Sequence, residues 1–492
     1  MLVRKVLLAV AALSGLVVLG RMWLGPFTLV LPVRSPLNAE GIFGLAVTLL
    51  LVAAGGVPQG AAPDWSRRAT WFAIAAVVGV IAVVFQRVLG LYFLADDFFL
   101  INSASTFGTN TTLRHIFSHG GVNGFFRPLG DVLYAVEFSW ARFDPRVWHA
   151  SAVFLHACNS VMVLLLARRM GTSSLAGAFG AILFAIHGTR PESVAWIASR
   201  FDLLATFFVL LSFLLFADSC TRSGSWRMVL VGLALTAMIA ALLSKESAYI
   251  FPLLLILYLY PRRDLPGHAM RSVMPFAVLT MAVFTYRWNV LEGLRGAAEG
   301  AGAARMVPLS LVSSVHAAGL RLWSALYFPM NWSSEPSRPL TIFAAAAVVS
   351  LLCLAARSRP LPLWSELGFI LVSVLPPLYL LGIGADLINS RILYLPSIGF
   401  AMLLARAVDG LNSPARYLVP AGIVMFQIAA LDHNLAFWEY ASEQVREGCE
   451  AVRKIPGRSG PLSALGYPER IRGVYAFATV WTCVPDEAVQ RR

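Results

Sequence analysis

The chain has 492 residues, of which 58% are hydrophobic and only 13% charged, with a mean hydropathy of +0.71. An average soluble domain is roughly 25% charged, so this excludes an ordinary soluble enzyme, a disordered chain and a disulfide scaffold. The net charge of +13 gathers in short loops ahead of residue 432, while residues 432–492 balance eight basic against eight acidic groups; this is the positive-inside pattern of a membrane protein, and no nucleic acid is expected as a partner.

Apolar stretches approaching the roughly 20 residues that cross a bilayer recur along the chain. Arg4 and Lys5 precede the first, Val6 to Gly20, which has no convincing cleavage site after it and reads as an uncleaved first helix. Thirteen spans are expected, near 6–24, 39–57, 69–92, 147–167, 174–188, 193–217, 228–243, 247–260, 272–291, 340–356, 363–384, 391–408 and 415–431. With the N-terminus cytoplasmic, Arg67 and Arg68, Arg168 and Arg169, Arg222 and Arg227, Arg262 and Arg263, and Arg357 and Arg359 all fall on the cytoplasmic side. The stretch 307–328 holds His316, Arg321 and Trp323 and is expected to be re-entrant or interfacial.

The same parity places the aromatic-rich loop 92–146 outside, as surface-lying amphipathic helices, and makes residues 432–492 a small extracytoplasmic tail beyond a membrane domain of 1–431. In the tail, Trp438, Ala441, Val445, Cys449 and Val452 recur at helical spacing, and Ile471 to Cys483 is strand-like. In an oxidising compartment Cys449 and Cys483 are free to pair, whereas Cys158, Cys220 and Cys353 lie in or beside apolar segments as small packing residues.

A charge inside hydrocarbon costs about 2.5–3.5 kcal/mol, so the polar clusters ask for reasons. Asp96 and Asp97, just beyond the third span, suit a general base or a cation ligand; the bland alternative is a solvated helix boundary. His149 and His156, with Asn159, share a helix face but lack a third zinc ligand, so packing is expected there and no metal site is assigned. His187, Arg190, Pro191 and Glu192 open a helix whose positive end could receive a phosphate. Arg200 and Asp202 are two apart, point differently, and each requires a partner elsewhere or a ligand. Lys245, beside Glu246, is either a snorkelling lysine or a phosphate clamp, and Arg391 and Tyr394 put another cation at an outer helix start.

Taken in order, Leu94-Ala95-Asp96-Asp97, Phe126-Arg127-Pro128-Leu129, Trp148-His149 through His156, His187 through Glu192 to Arg200-Phe201-Asp202, Ser244-Lys245-Glu246 and Ser390-Arg391 through Gly399 resemble the membrane part of the transmembrane-and-tetratricopeptide-repeat O-mannosyltransferases and their bacterial relatives. The resemblance covers roughly residues 70–440 and departs at Gly188, where relatives carry proline, and at Arg190, where histidine is common. The repeats that usually follow are missing here, which leaves the acceptor open as protein, lipid or glycan.

The resemblance implies an all-α, polytopic bundle of the GT-C class in a bacterial inner membrane, its active site facing the periplasm or cell exterior. It implies inverting transfer of a sugar from a polyprenyl-phosphate donor, with an acid of the first outer loop, matched by Asp96 and Asp97, as base. Because successive side chains point in different directions, one acid, Asp96 by preference, is expected to be catalytic and the other to orient the loop through Arg127. Lys245, Arg200 and Arg391 are the candidate cations for the lipid phosphate, and membrane lipid is a further partner. Metal dependence varies in that class, so a divalent cation stays open. A transporter or flippase for a lipid-linked anion is the rival reading; it would need no acidic pair in the first outer loop, but charges reaching the cytoplasmic half of the bundle.

Overall fold

The computed structural model describes residues 2–28, 32–33, 35–52, 64–107, 113–118, 125–260, 266–293, 311–357, 363–377, 382–453, 462–478 and 483. In chain order the helices are α1 Leu2–Leu24, α2 Leu37–Val52, α3 Arg67–Phe85, α4 Asp96–Ser105, α5 Leu113–Ser118, α6 Pro128–Ala141, α7 Pro145–Arg169, α8 Ser174–Ile186, α9 Arg190–Val194 and α10 Arg200–Ser219. They continue as α11 Gly224–Leu242, α12 Phe251–Leu259, α13 Pro266–Leu291, α14 Leu311–His316, α15 Leu322–Tyr327, α16 Arg338–Arg357, α17 Trp364–Ser373, α18 Pro396–Asp409 and α19 Ala415–Arg453. Two hairpins of two-residue strands complete the inventory: β1 Phe27–Thr28 with β2 Pro32–Val33, and β3 Arg470–Ile471 with β4 Val474–Tyr475.

Among the described residues seven helical stretches are long and apolar enough to cross a membrane: Leu2–Leu24, Arg67–Gly90, Pro145–Arg169, Ile197–Ser219, Gly224–Leu242, Arg338–Arg357 and Ala415–Arg453. The apolar helices Leu37–Val52, Ser174–Ile186, Glu246–Leu259 and Trp364–Ser373 match other expected spans but are shorter. Residues 311–327 form α14, a π-helical turn at Ala317–Arg321 and α15, and are not among the seven.

Local chemistry sets several boundaries. Asp144 caps α7, its Oδ1 accepting from the Arg146 amide at 3.0 Å. The helix ends where Gly171 turns to φ +79°, with the Thr172 amide returning to the Ala167 carbonyl and the Gly171 amide to Arg168, the two bonds of a Schellman motif. Arg168 and Arg169 in that last turn complement the helix dipole.

The chain divides into two compact units. The first comprises Met1–Val84, Ser160–Arg190 and Pro308–Leu435. Here α2 packs on α1 and α15, and α18 on α8 and α17. A Cβ on Gly44 would lie 2.6 Å from the Tyr327 ring, so a hydrogen there is what lets α15 approach. The buried Glu40 accepts from Ser324 Oγ at 2.6 Å and Trp332 Nε1 at 3.2 Å.

The second unit comprises Phe85–Asn159, Pro191–Val307 and Ala436–Arg492. Its α10 and α11 pack along their length, α13 lies against α11 and α12, and α4 rests on α6. The helical stripe expected after residue 432 is buried at Trp438, Ala441, Val445, Cys449 and Val452, but no break precedes it, since α19 runs unbroken to Arg453. The expected strand-like run narrows to β3 and β4, with Ile471 opposite Val474. Arg472 and Gly473 at the turn have φ +49° and +84°, the signature of a type I′ hairpin; residues 479–482 lie outside the described ones. Cys449 and Cys483 form a disulfide, in which Cys158, Cys220 and Cys353 take no part.

Candidate active site

The acidic pair sits in a turn that the local sequence does not favour. Ala95 has φ +42° and ψ −114°, close to the first central position of a type II′ turn, where glycine is the usual residue. The Asp97 amide closes that turn on the Leu94 carbonyl at 2.9 Å. Holding a residue with a Cβ there costs about 1–3 kcal/mol, and such strain persists only where surrounding contacts impose it.

Those contacts centre on Asp97, which is fully buried. Its Oδ2 accepts from the Leu94 amide at 3.0 Å and its Oδ1 from the Ala198 amide at 2.7 Å. Trp196 Nε1 donates to the Leu94 carbonyl at 3.3 Å. Burial pushes the Asp97 carboxyl up to about 8, against the two amides, with Asp96 adding to the rise and Arg200 opposing it. Asp96, next to it, is half-buried at the first turn of α4. The adjacent acids are thus unlike: one is wired into the backbone, and the other stands at the edge of the turn.

Around them the second unit gathers paired charges. Arg200 Nη1 donates to Glu137 Oε2, both side chains being 1% exposed. Arg200 also donates to the Trp148 carbonyl at 3.2 Å and lies over the Tyr134 and Trp148 rings at 5.0 and 5.1 Å. Lys245 donates to Asp202 Oδ2 at 2.5 Å. Arg200 and Asp202 therefore take partners on other elements, as their spacing requires, and Glu137 is a partner the sequence did not announce. Its one available signal was an acid inside the aromatic, apolar run of α6.

Arg127, the residue before α6, reaches Glu246 at 2.9 Å, and Arg287 approaches the same carboxylate at 3.7 Å. Burial pulls the Glu246 carboxyl upward, but Arg127, Arg287 and Lys245 outweigh it and hold it down at about 2. Arg127 thus reaches Glu246 and lies over the Phe125 ring at 4.4 Å, and it is Asp97 that ties the acidic loop to its surroundings. Glu192, in α9, is buried in this unit.

Four expected site residues lie in the first unit. His187 is buried between Thr189 Oγ1 and the Leu326 carbonyl, each at 2.9 Å. Arg190, fully buried, donates to the Phe184 carbonyl at 2.7 Å and Ser397 Oγ at 2.5 Å, and lies over the Phe184 and Tyr394 rings at 4.5 and 4.7 Å. Tyr394 is buried and Arg391 half-buried. His149 and His156 are buried in the second unit, His156 edge-on to Phe85 at 5.3 Å. Among the described residues no group of three or more His, Cys, Asp or Glu is placed to hold a metal.

Apolar helices of spanning length, with paired charges buried among them, define a multi-pass membrane protein. No protein-family profile matches the chain. Protein O-mannosyl-transferase TMTC4 of Homo sapiens is 25% identical over 411 residues, covering 68% of this chain and 55% of its own length. The Mus musculus TMTC4 is 22% identical over 454 residues, covering 76% and 60%, and Protein O-mannosyl-transferase tmtc2 of Xenopus laevis is 26% identical over 161 residues, covering 30% and 19%. The chain thus resembles these O-mannosyl-transferases at low identity, and spans at most 60% of the length of these three.

Proposed function

We propose that the chain is an integral-membrane glycosyltransferase of the GT-C class, moving a sugar from a polyprenyl-phosphate donor to an acceptor hydroxyl on the outer face of the membrane, with inversion. The observation that carries this reading is the strained turn that buries Asp97 in backbone hydrogen bonds while leaving Asp96 half-buried beside it. Asp96 takes the proton of the acceptor hydroxyl as its oxygen attacks the first carbon of the sugar. The bond from that carbon to the phosphate oxygen breaks, and the lipid phosphate leaves with one more negative charge than it had as a diester. Arg127 and Arg287 converge on the single Glu246 carboxylate, and this local excess of positive charge supports a role for the cluster in meeting the charge that develops on the leaving phosphate. Thirteen crossings, a bacterial inner membrane and an extracytoplasmic tail belong to the same proposal; the basic loops and the Cys449–Cys483 disulfide support the orientation.

The test uses purified protein in micelles, polyprenyl-phosphate mannose as donor and a threonine-containing peptide as acceptor. Asp96→Asn keeps size but removes the base, so it should still bind donor and lose about 10²–10⁴-fold in transfer. Transfer at the wild-type rate by Asp96→Asn would sink the mechanism. Movement of labelled donor lipid between leaflets without any sugar transfer would favour the transporter instead.

A further inference from the structure

We infer that the hairpin after α19 is a positioning strap for the acidic loop, an inference resting on the loop's reading as the active site. The Ala95 amide donates to the Ala476 carbonyl at 2.9 Å, so the residue whose backbone is strained is held directly by the tail. Trp196, which grips the next carbonyl at Leu94, stacks on Tyr475 at 5.1 Å with 22° between planes. Arg470 lies over that same Tyr475 ring at 4.9 Å.

The strap is itself anchored at several points. Arg472 at the hairpin turn lies over Tyr440 of α19 at 5.1 Å. Phe477, 1% exposed, packs against Gly448, where a Cβ would come within 2.8 Å of its ring. The Ala476 and Ala478 amides both return to the Glu469 carbonyl, and the Cys449–Cys483 disulfide closes the segment back onto α19. Alpha-helix α19 also reaches the loop from its other side, through Ser442 Oγ accepting from the Tyr92 amide at 2.7 Å. Residues 92 and 95 are therefore tethered to the C-terminal segment on either side of the buried Phe93 and Leu94.

These tail residues need no contact with the substrate. They act through Ala95 and Trp196, which fix the direction from which Asp96 leaves the turn. Loss of the strap should let the turn relax toward a geometry natural to alanine, displacing Asp96 without removing any binding group for the donor.

The experiment compares Tyr475→Ala, Tyr475→Phe and the double variant Tyr475→Ala with Ala95→Gly, all in the full chain. Amide hydrogen exchange over 92–98 should rise about tenfold in Tyr475→Ala and return in Tyr475→Phe, with the α10 amides unchanged. With polyprenyl-phosphate mannose and a threonine-containing peptide, kcat should fall about 10–100-fold in Tyr475→Ala while donor KM stays constant. Glycine at 95 tolerates the turn without the strap, so the double variant should recover most of that kcat. Unchanged exchange over 92–98, or faster exchange with wild-type kcat, overturns the inference. A wild-type protein that transfers no sugar removes the glycosyltransferase reading alone, and the exchange comparison still decides whether the tail holds the turn.

Discussion

Glu137→Gln isolates the buried ion pair at Arg200, because it removes one charge and little volume. Both side chains are 1% exposed, so the guanidinium left behind cannot recover water. Breaking a buried pair from one side typically costs about 3–5 kcal/mol. Arg200 keeps the Trp148 carbonyl and its places over Tyr134 and Trp148, and a desolvated cation–π contact is worth about 2 kcal/mol, so the lower end applies. A loss of about 3 kcal/mol is therefore expected. Replacing both partners, Glu137→Leu with Arg200→Met, should return to within about 1 kcal/mol of wild type, since no charge is stranded. Denaturant titration in detergent, followed by tryptophan fluorescence, measures all three proteins. Glu137→Gln unfolding at the wild-type denaturant concentration would refute the reasoning, because Arg200 would then have to draw its counter-charge from elsewhere.

Unreduced, denatured protein should label at three thiols, Cys158, Cys220 and Cys353, and at five after reduction; five labelled without reductant contradicts the Cys449–Cys483 bond. Folded Asp97 holds its proton more tightly than its ordinary value of 3.8, so its contribution to stability is complete below about 3.8 and lost as pH rises through about 8. Unfolding midpoints should fall between about pH 4 and 8 in wild type, level off above that, and fall less in Asp97→Asn; parallel profiles would disagree. Gly130→Ala would put a Cβ 2.2 Å from the Phe201 ring, between Arg200 and Asp202, and should cost about 1–3 kcal/mol by overpacking, offset by about 0.5–1 kcal/mol of helix propensity. Wild-type stability in that variant would mean Phe201 moves aside freely.

Much of the helical frame was legible because apolar length is a local property. The spans near 6–24, 69–92 and 340–356 needed nothing beyond their own residues. That α19 runs on past 431 has a tertiary reason. Asp432, His433 and Asn434 look like a polar exit, but His433 Nε2 meets the Asn331 carbonyl at 2.8 Å and Asn434 Nδ2 reaches the Gly188 and Pro329 carbonyls at 2.7 Å, so the helix carries them without a break. In the site, the two-residue spacing of Arg200 and Asp202 announced separate partners, whereas Glu137 and Lys245, 63 and 43 positions away, could not be paired by spacing. Nor does an Asp-Asp dipeptide reveal which acid faces inward. That depends on Ala95, a residue with no turn signal, taking a glycine-like backbone.

Arg190 has a consequence for how the chain is made. Its hydroxyl partner, Ser397, is 207 residues downstream, and Tyr394, one of the rings beneath it, follows almost as late. At about 5–20 residues per second of synthesis, such a separation is a wait of roughly 10–40 s. Through that interval the guanidinium has left the ribosome, yet the hydroxyl that accepts from it does not exist. A permanently charged group in that position has to remain hydrated or sheltered by the insertion machinery. The segment from α8 to α9 therefore completes its burial only after α18 has been delivered, and truncated chains ending before residue 394 should leave Arg190 accessible to aqueous guanidine-reactive reagents.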